Sequence, residues 1–261
     1  MSELSKGSNR KCIFCEENAT SREDAWPHWL LRRFPGSRSS TMDAERGAGA
    51  ALESWRTKSP AISVKRVCRA CNNGWMSRLE SRAKPVIESL IDDRLDVLDL
   101  QSMASIAAWA VKTAMVLEST GPPPEWFFTN EERARLRSDE SLPQWTSVWI
   151  AKCLEHSGMY SASKKLRGTD SVRDESVTAT VTTMVFGSLA IQTRTLRVRS
   201  AVPPNTTVTV AERTGPWNKL TLQVWPVHLE QVSWPAKMGF RGEAGLHELT
   251  ERFSPASQLS D

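Results

Sequence analysis

The chain is short of the features that mark several large protein classes. It has no unbroken run of about 18 apolar residues, the length a membrane helix needs. The nearest, Met103 to Leu117, is interrupted by Ser105, Lys112 and Thr113, which argues against a membrane span. Residues 1–11 are polar and have no apolar core of the kind a secretory leader carries, so the expected compartment is the cytoplasm. Tyrosine occurs once and histidine four times. No glycine-rich nucleotide loop and no Ser-His-Asp order is present. His156, His228 and His247 are isolated and expected to be structural. Hydrophobic residues at 39% and charged residues at 25% exclude a wholly disordered or collagen-like chain. The 261 residues leave room for one large domain or two modest ones.

Charge is unevenly placed. Residues 1–84 hold 16 Lys+Arg against 9 Asp+Glu, whereas residues 85–261 hold 18 against 21. The basic first third is therefore the part expected to meet nucleic acid. Tryptophan is plentiful, with eleven residues, and Trp26, Trp29, Trp55 and Trp75 crowd into that same third. Most are expected in the core, since tryptophan buries a large area.

Four of the five cysteines form two Cys-x-x-Cys pairs, Cys12/Cys15 and Cys68/Cys71, with 52 residues between them. In a cytosolic chain this pattern predicts a tetrahedral zinc site rather than disulfides. Four thiolates leave no open coordination position, so the Zn2+ is expected to be structural. It would supply much of this region's folding energy, on the order of 10 kcal/mol or more in comparable sites. Cys153 lies in an apolar run and reads as an inert core thiol.

Between the pairs runs Glu23-Asp24-Ala25-Trp26-Pro27-His28-Trp29-Leu30, where Pro27 is placed to open a short helix. The second pair is embedded in Val64-Lys65-Arg66-Val67-Cys68-Arg69-Ala70-Cys71-Asn72-Asn73-Gly74-Trp75-Met76-Ser77. A helix is expected from Trp75 to Leu90, ended or kinked by Pro85. The Gly/Ser/Ala-rich residues 36–54 read as a flexible loop.

With a Cys-x-x-Cys, an acidic segment ending in proline, and a Cys-x-x-Cys-Asn entering a helix, the chain resembles the HNH endonucleases, specifically a zinc-bearing bacterial and phage branch. The resemblance spans about residues 12–80. It implies a ββα finger that clamps one catalytic Mg2+ or Mn2+ and hydrolyses phosphodiester bonds of DNA. Glu23 stands where the family's metal-binding acid stands. Asn72 stands at the position of the last histidine of the name, or of its asparagine replacement, and Asn73 follows it. Asp24 occupies the general-base position, where the family has histidine. No asparagine lies between Asp24 and Cys68, so the middle residue of the name has no counterpart. An aspartate is a weaker base than histidine at neutral pH. Either Asp24 joins Glu23 and Asn72 as a metal ligand while His28 serves as base, or the site keeps only its zinc-held scaffold. The resemblance also aims Lys65, Arg66, Arg69 and Arg78 at phosphates. Plainer roles exist for the same residues: acids ahead of a helix, asparagines in a turn, a surface histidine.

Beyond residue 90 a strong helix is expected over 98–118 with Asp99 as its cap, and a charged helix over 130–138. Strand patterns follow at 145–151, 177–182, 189–191, 196–198, 206–211 and 220–225, with Gly187 as a bend. Strands without intervening helices imply an antiparallel sheet. The expected class is thus α+β. A zinc-stabilised HNH-like domain over 1–90 precedes a scaffold or recognition domain over 91–261. The leading function is a metal-dependent DNA nuclease. Alternatives are a catalytically degenerate nucleic-acid-binding module and a protein-interaction subunit of a phage or defence complex, the last using a Trp-rich surface.

Overall fold

The computed structural model describes residues 10–35, 40–45, 52–57, 62–170, 175–198, 212–236 and 238–253. After the first cysteine pair comes β1 (Ser21–Asp24). Helix α1 (His28–Arg33) starts directly after Pro27, whose ring fixes φ near the value the turn needs. Strands β2 (Ser40–Glu45) and β3 (Leu52–Thr57) follow, so much of the segment expected to be a loop is a hairpin. What holds it is non-local: β2 pairs in parallel with a strand more than a hundred residues later. Local composition carries no trace of such a partner.

Strand β4 (Ser63–Val67) pairs antiparallel with β1 and delivers the second cysteine pair. A short helix α2 (Arg69–Cys71), a π-helical turn over Asn72–Met76 and the helix α3 (Ser77–Ile91) then run on almost without interruption. The bend falls at Gly74, whose φ of −94° and ψ of −109° are not helical. It does not fall at Pro85, which lies inside α3. Pro85 faces water, while Leu79, Ala83, Ile87 and Leu90 on the opposite side are fully buried. Burial of that stripe outweighs the missing backbone donor.

Strand β5 (Val97–Asp99) leads into α4 (Leu100–Glu118). Asp99 caps this helix, its side chain accepting from the Ser102 N–H at 2.8 Å. Helix α5 (Asn130–Asp139) begins with a capping box made by Thr129 and Glu132. Then come β6 (Thr146–Leu154), β7 (Met159–Asp170), β8 (Glu175–Phe186) and β9 (Leu189–Val198). The chain closes with α6 (Trp217–Leu220), β10 (Thr221–Trp225), β11 (Gln231–Ser233), β12 (Phe240–Arg241) and α7 (Gly242–Thr250). The stretches expected at 189–191 and 196–198 are one strand, and the one expected at 206–211 lies outside the described residues.

The main sheet has the order β10-β6-β9-β8-β7-β2-β3, with β12 beside β6. Its pairs are antiparallel except β2–β7 and β12–β6. Gly187, in the β8–β9 turn, has φ +57°, and a Cβ there would meet the Phe34 ring at 2.9 Å. Both constraints call for glycine. Helix α4 lies against α3, β5, β9 and β10. It is long and apolar enough to cross a membrane by composition, yet it is buried around most of its circumference and forms the centre of the core. One apolar cluster runs from Cys12 through α3 and α4 to Trp234. Residues before and after position 90 therefore share it.

Candidate metal centre and adjoining cleft

The first cysteine knuckle is a tight turn. The Cys12 N–H donates to the Glu17 carbonyl at 2.6 Å, and the Glu16 N–H to the Cys12 carbonyl at 3.0 Å. Glu16 takes the left-handed conformation this turn needs, with φ 61°. The Ile13 N–H donates to the Arg66 carbonyl at 2.9 Å and straps the knuckle to β4. In the second knuckle Cys68 precedes α2, and its Sγ accepts from the Cys71 N–H at 3.4 Å. Phe14, inside the first knuckle, packs edge-on against Trp75 with ring centroids 5.0 Å apart.

These contacts converge four sulfurs. The Sγ atoms of Cys12, Cys15, Cys68 and Cys71 all lie within 4.8 Å of one another, with Cys15 and Cys68 at 3.5 Å. Zn–S bonds of about 2.3 Å in a tetrahedron put sulfurs about 3.8 Å apart, so the cluster is able to hold a metal ion such as zinc. All four are free thiols, and three are buried. A hydrogen bond from the Cys71 thiol, the largest influence, pulls Cys12 down to about 5. Cys71 is pushed up by the same contact, and burial raises Cys15. Four thiolates at this spacing repel one another and require a cation to ionise together. Cys153 stands apart on β6, buried, its thiol pushed up to about 12 by burial, as expected of a core cysteine.

Next to the cluster lies a cleft of about 200 Å³ lined by Glu23, Asn72, Asn73, Met76, Ser77, Glu80, Ser81 and Lys84. Glu23 reaches it from β1, and the other residues come from the helical segment behind the second knuckle. Asn72 locks strand to helix: its Nδ2 donates to Ser21 Oγ at 2.6 Å and to the Arg22 carbonyl at 3.2 Å. Glu23 is buried, at 7% exposure, and its Oε1 lies 3.8 Å from Lys112 Nζ of the core helix. Burial pushes the Glu23 carboxyl up to about 7. Lys112 opposes this, whereas Glu80 and Asp24 add to it.

Adjacent side chains on a strand point to opposite faces. Along β1 Arg22 is exposed, Glu23 buried and Asp24 half-buried. Asp24 pairs instead with His28, Oδ2 to Nε2 at 3.2 Å, and neither residue lines the cleft. The cleft thus gathers Glu23, Asn72 and Asn73, while Asp24 and His28 form a separate carboxylate–imidazole pair. Glu80 and Lys112 were missed from the sequence. The signal for Lys112 was there, a lone cation inside the most apolar run; Glu80 carried none.

Of the four basic residues singled out, Lys65, Arg69 and Arg78 are exposed. Arg66 is half-buried, its guanidinium carbon 5.4 Å from the centroid of the Trp126 ring. Trp26, Trp29 and Trp75 are core residues at 0%, 7% and 7% exposure. These three therefore offer no Trp-rich surface.

Fold and site together define an α+β protein with a four-cysteine cluster able to hold a metal ion, flanked by a small polar cleft. Comparisons with protein-family models, with curated proteins and with solved structures returned no match for this chain.

Proposed function

We propose that the chain is a metal-dependent DNA nuclease of the HNH type, built on a structural zinc. The observation that carries this reading is the meeting of Glu23 and Asn72 in one cleft. They meet there because an antiparallel strand pair, β1 and β4, is followed by a helical segment, with a four-cysteine cluster beside it. This is the order of elements the resemblance implies.

Glu23 and Asn72, with Glu80 as a further oxygen donor, would hold one Mg2+ or Mn2+; carboxylate and carboxamide oxygens suit such hard cations. When bound, the cation neutralises a phosphate and the leaving 3′ oxygen. Asp24 orients the His28 imidazole through their 3.2 Å contact. His28 stands outside the cleft lining and would take the proton of the attacking water through one bridging water, general-base catalysis in general contributing roughly 10²–10⁴-fold. Exposed Lys65, Arg69 and Arg78 attract the phosphate backbone. Arg66 supports Trp126 instead.

A second reading has its own observation. The residue at the family's base position, Asp24, does not line the cleft. This favours a module that binds nucleic acid and no longer cuts it.

One experiment separates the two. Nicking of supercoiled DNA in Mg2+ or Mn2+ should be abolished by Glu23→Ala and by His28→Ala. Reversing Lys65, Arg69 and Arg78 to Glu should weaken DNA binding in fluorescence anisotropy. Binding that follows those charges without cleavage by any preparation favours the module. Cleavage that survives Glu23→Ala removes the proposed site.

A further inference from the structure

Lysine is almost never fully buried unless paired. Lys112 is 1% exposed, in the middle of the core helix α4, among Ala108, Trp109, Val111, Met115 and Val116. Its ammonium lies 5.8 Å from the centroid of the Trp109 ring and 3.8 Å from Glu23 Oε1. Among the described residues, Glu23 is the carboxylate within ion-pair distance of it. A core position this apolar would ordinarily hold leucine or methionine, and replacing a buried ion pair by such residues is often neutral or stabilising. The charge therefore needs a reason other than packing.

The geometry points to Lys112 as a positioning residue: from the core side it holds one oxygen of Glu23, so that the other faces the cleft as a cation ligand. This inference rests on the proposed cation site. Glu23 has two oxygens and reaches the cleft from a buried strand position. A carboxylate with nothing behind it in apolar surroundings would rotate toward water. Lys112 also places the anchor on an element outside the strand pair and helix that supply Glu23 and Asn72.

A simple Coulomb view predicts the opposite effect, since a lysine about 4 Å from a ligand should repel a cation. The sign of the mutational effect therefore discriminates. Mn2+ binding to the zinc-loaded full chain would be followed at constant pH by electron paramagnetic resonance of free Mn2+. Wild type should bind one ion in the cleft, and Glu23→Gln should lose it. Lys112→Met, near-isosteric and uncharged, should weaken binding at least tenfold while keeping its zinc and its circular dichroism. Unchanged or tighter binding would overturn the inference. Should Lys112→Met fail to fold, the unmutated protein still answers. The 15N resonance of the Lys112 side chain should move on adding Mg2+ to wild type and stay fixed in Glu23→Gln. A resonance that does not move while the cleft binds Mg2+ also overturns it. Wild type that binds no Mn2+ or Mg2+ refutes the cation site itself, a result separate from either Lys112 outcome.

Discussion

Glu23 is a residue on which burial and charge conflict. Its carboxyl is pushed up to about 7 in the fold from an ordinary 4.5. Between those values the unfolded chain has released the proton and the folded chain still holds it. The folded state then binds more protons, so this group makes stability fall as pH rises through that window. Glu23→Gln removes the titration. The stability of wild type minus that of the variant, from urea midpoints, should decrease from pH 4.5 to pH 7.5. A flat difference would mean that the carboxylate is better solvated or better paired than its burial indicates. The residue scale also shows what sequence reading reached. The four cysteines were legible because spacing alone constrains thiolates around a metal. Glu23 and Asn72 were reached through a resemblance. Glu80 was not, because one acid on an amphipathic helix looks like any solvated charge until the opposite strand is in place.

At the scale of elements, α3 makes the sharpest test. A proline inside a helix costs about 3 kcal/mol relative to alanine. Part of that is recovered because proline restricts the unfolded chain by up to about 1 kcal/mol. Pro85 is exposed and carries no packing. Pro85→Ala should therefore stabilise the protein by about 2 kcal/mol, read as a rise in the thermal midpoint. A loss of stability would show that Pro85 contributes to the seating of α3 despite its exposure. Legibility divides along the same line. The Thr129 capping box emerged only in the structure, whereas helix α4 was readable from its local period and its cap Asp99, and α5 from its charged run. The strands β2 and β3 were not, since their Gly/Ser/Ala-rich surroundings carry a loop signal and the parallel partner β7 is remote. β7 itself was missed because Lys164, Lys165 and Arg167 break its apolar alternation.

At the scale of the whole molecule, the cysteine cluster brings residues 12–15 together with residues 68–71, and both knuckles enter the same apolar cluster as α4. Purified protein should contain about one zinc per chain by elemental analysis. Cys68→Ser should lose it. Structural zinc contributes on the order of 10 kcal/mol, comparable to the whole stability of a domain. The loss should therefore appear as a large drop in the unfolding midpoint of the full chain, not as local fraying. A Cys68→Ser variant that melts like wild type would show that packing alone holds the knuckles.

The ion pair between β1 and α4 bears on how such a fold can be reused. Small cysteine-clustered segments invite the thought of cutting them out and grafting them onto new carriers. Here the carboxylate of the cleft and its counter-charge lie 89 positions apart in the chain, Glu23 near the start and Lys112 beyond α3. A transplant that ends at residue 90 would take the cysteines, both asparagines and the acid, and leave the lysine behind. The smallest portable unit therefore reaches at least through α4, and with it comes the sheet that keeps α4 covered.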